Sequence, residues 1–304
     1  RVYFPLIVDS LPRGTSSPTF SISTVELHGC HHSIMEPRRL KGLGSDPALQ
    51  RLADGLHRLL SIGHIEPIQV ELAVQVIALV LERAGREAPA HLVVVVGHLR
   101  EQVSDHLEKL SEAVTTAVQD DQLGTGHAVA CGLAGLGELE GDVVVTYADV
   151  PMLTGDTLRQ LVAVHRAHHH SVTVLTARVE DPTGYGRIIR DGDAVTGIVE
   201  HKDATDEQRA IDEINSGIYV FDAATLREGL ASLTTDNAQG ELYLTDALHL
   251  VIGDGVPVTG VVAPDPEVML AINSRVELAD VNAVMRRRLL ERLMLAGVTI
   301  EDPG

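Results

Sequence analysis

The segment QDDQLGTGHA, from Gln119 to Ala128, has residue types that suit a flat ligand with polar groups along its edge. Gly124 and Thr125 stand where a predicted strand turns into a predicted helix. Glycine lets a backbone approach a ligand closely, and the amides of a helix N-terminus favour an anion or a carbonyl acceptor. The Gln119 amide can pair with the donor and acceptor edge of a base. The same residues are also typical of an ordinary turn between a strand and a helix, so the motif alone leaves both interpretations open.

A second motif, YADVP, has a carboxylate, Asp149, directly after the apolar run 142–147. A carboxylate at the end of a buried strand is held rigidly. Together with phosphate oxygens and waters it suits a hard divalent cation, Mg²⁺ in particular. The amide oxygen of Asn273, in AINSR, could complete such a shell. The alternatives are an aspartate that caps the turn before Pro151 and an asparagine that belongs to a turn or cap.

Three further positions suit a ligand rich in hydroxyl groups. Glu200, in IVEHKDA, and Asn215, in EINSG, supply a carboxylate and an amide that can fix sugar hydroxyls through directional hydrogen bonds. Gly186, in DPTGYGR, would permit a backbone contact with a ligand. Spacing alone does not bring these residues together, and a β-turn, a solvated glutamate and a turn asparagine remain the alternatives.

Histidines and cysteines give weaker signals. The cluster His28–His32 contains soft metal ligands, but no second cluster follows at the spacing of a zinc site. The run 168–170, with His165 one turn earlier, indicates a solvated helix face. Cys30 and Cys131 are far apart and unpaired in spacing, which favours a reduced, cytoplasmic protein over a disulfide scaffold.

The elements that must position these residues are predicted from the apolar pattern. Strands are predicted at 91–97, 115–119, 142–147 and 171–177, and helices at 100–113, 125–136 and 155–168. This alternation indicates an α/β fold with a mostly parallel sheet and helices on both faces. Ligands bind at the carboxyl ends of the strands in such sheets, where Gln119 and Asp149 both fall.

The pattern changes on either side of these elements. Short β segments at 186–190, 194–200 and 217–221 predict a β-rich insertion within 181–222 that covers one side of the site. Helices are predicted again at 224–233, 240–252 and 277–295. Residues 2–8 are apolar enough for a strand, but Pro5 would restrict that strand to an edge of the sheet.

Charge divides the 304 residues into two unlike parts. The net charge is −19, and residues 1–90 are neutral with nine basic and nine acidic side chains, so the remainder carries the whole excess. An acidic chain of this kind is not expected to bind nucleic acid or an anionic membrane surface in general. No apolar run approaches the roughly 20 residues of a membrane span.

Taken in order, the motifs resemble the uridyltransferase domain of N-acetylglucosamine-1-phosphate uridyltransferases, particularly the actinobacterial ones. The resemblance rests on QDDQLGTGHA, YADVP, DPTGYGRI, VTGIVEHKDATDEQR, EINSGIYVFD, TDNAQGELYLTD and INSRVEL. It covers about residues 92–304 and does not extend to 1–90. It implies a Rossmann-like nucleotide-diphospho-sugar transferase fold.

The resemblance also implies an activity and a role for each motif. UTP and N-acetylglucosamine 1-phosphate would give UDP-N-acetylglucosamine, for peptidoglycan, and pyrophosphate, with Mg²⁺ as cofactor. Uracil and its neighbouring atoms would be held by Gln119, Gly124 and Thr125, the metal by Asp149 and Asn273, and the sugar by Gly186, Glu200 and Asn215. Tyr147 and Ala148 would line the same site, although the family usually has glycine at the position of Ala148.

Two parts of the family pattern are missing. The family begins with a strand and a loop resembling LAAGxGTRM, followed by a Pro-Lys pair, and this loop handles the triphosphate. Here the segment Leu6–Thr15 keeps only an apolar run and a Gly-Thr pair. We therefore interpret 1–90 as a degenerate N-terminal part, 91–275 as the nucleotidyltransferase core with its sugar-binding region, and 276–304 as a linking helix. A frameshift within 1–90 would explain the break in composition.

The second missing part is the left-handed β-helix that carries acetyl transfer and most trimer contacts in the family. We expect no acetyltransferase activity from this chain, and its sequence predicts no oligomeric state. Two functions remain open: an active uridyltransferase, and a sugar-nucleotide binding domain that is catalytically impaired because it lacks the triphosphate loop.

Overall fold

The computed structural model describes residues 5–9 and most of 91–302, apart from positions 98–99, 111–113, 148, 169, 238, 273 and 301. Its first half contains β1 Pro5–Asp9, β2 His91–Val96, α1 Arg100–Leu110, β3 Val114–Val118, α2 Thr125–Ala134, β4 Asp142–Tyr147, α3 Gly155–His168 and β5 Val172–Arg178. Its second half contains β6 Arg187–Asp191, β7 Ala194–Val199, α4 Asp206–Arg209, β8 Glu213–Asp222, α5 Ala223–Ala231, α6 Leu244–Gly253, β9 Val258–Val262, a 3₁₀ helix Pro266–Met269 and α7 Arg275–Leu295.

All strands of the described part join one sheet in the order β3-β2-β1-β4-β8-β5-β9-β7-β6. β2 runs parallel to β3, and β5 runs parallel to β9. β8 lies antiparallel between β4 and β5. Strands β2, β3, β4, β5 and β9 therefore share one direction, although β1 and β8 run antiparallel between them, and their carboxyl ends meet at the same edge.

Helices cover both faces of this sheet, which confirms the predicted α/β class. Successive residues of a strand point to opposite faces, so Leu92, Val94 and Val96 join one core layer while Val93 joins the other. The first layer packs against α1 and α3 through Leu107, Leu158 and Leu161. The second packs against α2, α5 and α6 through Val129, Leu133, Leu226, Leu244 and Leu248. A strand that is buried on both faces has a continuous run of apolar residues, and this pattern predicted β2 and β4 from the sequence.

The strand predicted near the N-terminus forms, but the prediction of an edge strand is wrong. β1 lies in the interior of the sheet, antiparallel to both β2 and β4. Pro5 is tolerated there because it is the first residue of the strand. Asp9, the last residue of β1, pairs with His91, the first residue of β2. The C-terminal end of β1 therefore lies away from the carboxyl ends of β2 and β4. Gly14 and Thr15 lie outside the described residues.

The β-rich segment is also organised differently from the prediction. β6 and β7 form the expected hairpin. β8 is not part of a covering insertion: it has ten residues, eight of them buried, and is a central strand of the main sheet. The sequence indicated only its second half because Asn215 and Ser216 interrupt the apolar run.

Candidate active site

A cleft of about 210 Å³ opens at the carboxyl ends of the parallel strands. Six of the residues singled out from the sequence line it together: Thr125, Tyr147, Asp149, Gly186, Glu200 and Asn215. They come from the start of α2, the end of β4, the loop before β6, the end of β7 and the start of β8. The cleft therefore joins motifs that are up to 90 residues apart in the chain.

The loop before α2 is shaped by its backbone. Gly124 has φ 108°, and a Cβ there would stand 2.7 Å from the carbonyl oxygen of Leu242. Gly126 N–H donates to that same oxygen at 2.8 Å, and Leu242 N–H donates to Leu123 O at 2.7 Å. We call residues 119–126 the nucleotide loop, after the role that we propose for them below, and residues 241–244 the strap. The positive φ and the close approach both require glycine at position 124.

One side chain completes this junction. The Oγ1 of Thr125 accepts a hydrogen bond from Leu244 N–H at 2.9 Å, which caps the start of α6 from a different segment. The strap is thus held to the nucleotide loop on both sides of Gly124. Since Tyr243, Leu244 and Glu241 also line the cleft, the strap connects the nucleotide loop with the wall on the other side.

Gln119 is the first residue of the nucleotide loop, and only 2% of its surface is exposed. Its backbone N–H donates to Val96 O at 2.8 Å, which extends the pairing of β3 with β2. Its Nε2 donates to the carbonyl oxygen of Gly124 at 3.2 Å. Among the described residues its Oε1 has no hydrogen-bond partner. A buried acceptor of this kind costs free energy unless a ligand or a water pairs with it.

Tyr147 and Asp149 lie at the end of β4, beside β8. Gly217 has φ 78°, and a Cβ there would stand 2.3 Å from the Tyr147 ring, so the ring packs directly on the β8 backbone. Ile272 N–H donates to the carbonyl oxygen of Asp149 at 2.8 Å. This bond fastens the segment before α7 to the end of β4. Ala148, between Tyr147 and Asp149, lies outside the described residues. Asn273 does too, so the structure tests neither prediction.

The opposite wall of the cleft is built from side chains. The Nδ2 of Asn215 donates to the Tyr219 hydroxyl at 2.7 Å, and its Oδ1 accepts from Gly217 N–H at 3.0 Å. Asn215 N–H donates to Gly186 O at 2.8 Å, which joins β8 to the loop before β6. The Oε1 of Glu200 accepts from the Thr245 hydroxyl at 3.3 Å. We call Gly186, Glu200, Asn215 and Tyr219 the polar wall.

Burial sets the protonation of this wall. It raises the pKa of Tyr219, and the nearby Glu200 carboxylate acts in the same direction. The hydroxyl therefore stays protonated and keeps its hydrogen bonds with Asn215. Gly186 has no side chain where a Cβ would come within 3.4 Å of both Glu200 Oε1 and Asn215 Cβ. That gap leaves both polar groups accessible from the cleft.

A buried ion pair supports the wall from behind. The Glu213 side chain is 3% exposed, and its Oε1 and Oε2 accept from Arg190 at 2.7 Å and 2.9 Å. Thr176 donates to Glu213 Oε1 at 2.7 Å, and the more exposed Arg178 completes the set at 3.3 Å. Burial alone would raise the pKa of Glu213, but the hydrogen bonds and charges of these partners outweigh it and lower the pKa. This network fixes β8 two residues before Asn215.

The structure also shows what the sequence did not indicate. Tyr219, Tyr243 and Thr245 line the cleft, and the last two lie in TDNAQGELYLTD, a segment whose density of polar residues was the available signal. The prediction of a solvated face for His165 is wrong. His165 is 2% exposed, its Nδ1 lies 2.9 Å from Thr173 Oγ1, and its Nε2 lies 3.6 Å from the buried Asp142.

Two kinds of feature are absent from the described part of the chain: a cluster of metal-ligating side chains and a membrane-spanning helix. No group of three or more His, Cys, Asp or Glu residues there is arranged to hold a metal ion. None of the helices there has the length and apolarity that a membrane crossing requires. The cluster His28–His32 lies outside the described residues.

The sequence is similar to those of known proteins. A family model for nucleotidyl transferases matches residues 63–265. The chain is 61% identical over 222 residues to the bifunctional protein GlmU of Cutibacterium acnes, covering 71% of this chain and 53% of that protein. It is 52% identical over 230 residues to GlmU of Thermobifida fusca, covering 74% of this chain and 48% of that protein. It spans about half the length of these curated relatives.

A crystal structure of a UDP-glucose pyrophosphorylase complexed with UDP-glucose has a similar fold. The two share 15% sequence identity with a TM-score of 0.53, and the match covers 72% of this chain and 87% of the other. At that identity the likeness concerns the fold alone. The family match covers more than half of the residues, and the chain belongs to the nucleotidyl transferase family.

Proposed function

We propose that this chain transfers a uridylyl group from UTP to N-acetylglucosamine 1-phosphate, giving UDP-N-acetylglucosamine and pyrophosphate. The observation that carries the proposal is the cleft, which is lined together by Thr125 of the nucleotide loop, by Asp149 and by the polar wall. The high identity to GlmU proteins over the matched region supports the same substrates.

The nucleotide loop is proposed to hold uracil and the adjacent nucleotide atoms through Gln119, Gly124 and Thr125. Two facts favour this role. The Oε1 of Gln119 is buried without a described partner, which suits a ligand N–H. Gly124 lets the loop lie directly against the strap, which fixes Thr125, at the start of α2, in the lining of the cleft. Tyr147 and Ala148 would border the same ligand.

The polar wall is proposed to hold the N-acetylglucosamine. Asn215 is fixed by Tyr219 and Gly217, and Glu200 is fixed by Thr245, so neither group has to be ordered when the sugar binds. A carboxylate accepts hydrogen bonds from hydroxyls, and an amide both donates and accepts, which matches a hydroxyl- and acetamido-bearing ring.

Mg²⁺ fits the donor chemistry of the site. Asp149 supplies a hard oxygen in the cleft, and the described residues include no metal-binding group of three or more side chains. Mg²⁺ commonly keeps several waters and uses one or two carboxylates together with substrate phosphates, so one aspartate is sufficient from this part of the chain. Asp149 would hold the ion, with Asn273 as a second ligand. When bound, Mg²⁺ supplies positive charge to the phosphates during transfer.

In the proposed reaction a phosphate oxygen of the sugar phosphate forms a bond with the α-phosphorus of UTP. The bond from that phosphorus to the bridging oxygen breaks, and pyrophosphate leaves. The chain has little covalent work to do, because the nucleophile and the leaving group both belong to substrates. Its residues act by holding the two substrates in line, with uracil at one end of the cleft and the sugar at the other.

The test is pyrophosphate release from UTP and N-acetylglucosamine 1-phosphate with Mg²⁺. Asp149→Ala should lower the rate by about a hundredfold or more, because a metal-held charge contributes several kcal/mol to such transition states. Asp191→Ala, which removes an exposed carboxylate at the end of β6, is the matched control and should leave the rate unchanged. An unchanged rate for Asp149→Ala would refute the metal assignment. Binding of UDP-N-acetylglucosamine without any pyrophosphate release would instead favour a binding domain without turnover.

A further inference from the structure

A line of three polar side chains runs from the nucleotide loop into α2. The Nε2 of Gln119 lies 3.1 Å from His127 Nδ1. The Nε2 of His127 lies 3.6 Å from Cys131 Sγ, one helical turn further on. His127 and Cys131 are half-buried and do not line the cleft, so the mechanism above makes no use of either.

These contacts fix which way the Gln119 amide faces. The carbonyl oxygen of Gly124, 3.2 Å from the amide, can only accept a hydrogen bond, so the amide atom beside it is the nitrogen. The same nitrogen then donates its second proton to His127 Nδ1. Turning the amide over would set its oxygen against the Gly124 carbonyl oxygen and would require the His127 proton to move to Nδ1. The amide is therefore held by two hydrogen bonds rather than one.

The tautomer of His127 follows from this arrangement. Because Nδ1 accepts from Gln119, the neutral ring carries its proton on Nε2, which faces Cys131. Burial raises the pKa of the Cys131 thiol, and the charge of Asp120 acts in the same direction. The thiol therefore stays neutral.

The remaining atom of the amide is Oε1, which is buried and has no partner among the described residues. We propose that His127 is a positioning residue: it holds the Gln119 amide so that Oε1 accepts the N3–H of a uracil ring, and it thereby sets the preference for uracil over cytosine. This inference rests on the proposed function, because it assumes that the nucleotide loop binds the base.

The preference follows from the edges of the two bases. Uracil has a proton on N3, between two carbonyl groups, and a fixed acceptor pairs with it. Cytosine has a lone pair on N3, which would repel the same acceptor and leave Oε1 unpaired. A site whose polar atom is held in one orientation rejects the base that cannot pair with it, whereas an amide free to turn over accepts both.

The experiment compares the affinities of UTP and CTP for the full chain by titration calorimetry with Mg²⁺. His127→Leu removes the acceptor, and we expect the UTP-to-CTP affinity ratio to fall by about tenfold, in line with the loss of one neutral hydrogen bond. His127→Phe keeps a ring without the acceptor and should give the same fall. His127→Asn restores an acceptor near the Nδ1 position and should restore most of the ratio.

Cys131→Ala is the matched control, because it removes the far end of the line but not the contact with Gln119; the ratio should stay within about twofold. A preserved ratio in either His127→Leu or His127→Phe, with a normal circular dichroism spectrum, would overturn the positioning role. Equal affinities for UTP and CTP in the unmodified chain would overturn the uracil assignment and with it the proposed function. The two failures are therefore distinguishable.

Discussion

The two sides of the cleft are built by different means. The nucleotide loop depends mainly on backbone: Gly124 and Gly126 lie against the strap, and apart from the Thr125 hydroxyl the atoms that bond the loop to the strap are main-chain atoms. The polar wall depends on side chains: Asn215 with Tyr219, Glu200 with Thr245, and the Glu213 ion pair behind them. One side has no room for an added atom, and the other needs particular functional groups.

This difference indicates how each side should respond to substitution. In the nucleotide loop, any side chain added at Gly124 or Gly126 displaces the backbone, and the contacts between the loop and the strap are lost together. In the polar wall, each substitution removes one or two hydrogen bonds, so the effects on stability and binding should differ in size from one residue to the next. The following predictions test whether the two sides differ in this way.

The largest effect is expected from Gly124→Ala. With φ 108° and ψ 177° the residue adopts a conformation open almost only to glycine, and the new Cβ would lie 2.7 Å from Leu242 O and 2.9 Å from Leu242 N. Strain of this kind costs about 3 kcal/mol, so the free energy of unfolding should fall by that amount in denaturant titrations. UTP affinity should fall by more than about a hundredfold, because the loop must move.

Gly135→Ala is the matched control for this variant. Gly135 follows the same helix, has φ −87°, and has no atom within 4 Å of an added Cβ. Its free energy of unfolding and its UTP affinity should both be unchanged. If Gly124→Ala behaved like Gly135→Ala, the nucleotide loop would not depend on its backbone contacts.

A smaller effect is expected from Arg190→Met, on the polar-wall side. The change removes two hydrogen bonds from the buried Glu213 carboxylate and leaves it with Thr176 and Arg178. The free energy of unfolding should fall by about 2 kcal/mol, since bonds to a buried charge are stronger than neutral ones. Arg178→Met is the control, because Arg178 is 58% exposed and its loss should change stability by less than about 1 kcal/mol.

The same pair predicts a pH dependence. The pKa of Glu213 is lowered in the folded chain, so its contribution to stability is fully present above the unfolded value of about 4.3 and is lost as pH falls through the folded value. Unfolding midpoints of the unmodified chain should therefore decrease below about pH 4.5, and Arg190→Met should flatten that decrease. An equal slope in both proteins would show that another group is responsible.

The sequence predicted the backbone side more completely than the side-chain side. The glycine at position 124 is informative by itself, because this position needs a conformation that few other residues adopt. The run of valines in β2 and β4 likewise predicted buried strands directly. Local patterns of this kind need no knowledge of distant segments.

The polar wall could not be derived from spacing. Glu200 directly follows β7 and Asn215 lies on β8. Their meeting depends on β6, because Arg187 pairs with Val199 on one side and with Ile214 on the other. Tyr219 looked like one more apolar residue of β8, and nothing local indicated its hydroxyl contact with Asn215. His165 was misjudged for the same reason, since its burial depends on Thr173 in the next strand.

The smallest effect is expected from Tyr219→Phe, and it distinguishes the two sides most cleanly. The change removes one buried hydroxyl and releases the Asn215 amide, while the nucleotide loop and the strap keep all their contacts. The free energy of unfolding should fall by about 1 kcal/mol, as for one neutral hydrogen bond. The KM for N-acetylglucosamine 1-phosphate should rise by up to about tenfold, because Asn215 loses its fixed orientation, and the KM for UTP should not change. Parallel increases in both KM values would show that the polar wall and the nucleotide loop act as one unit through the strap.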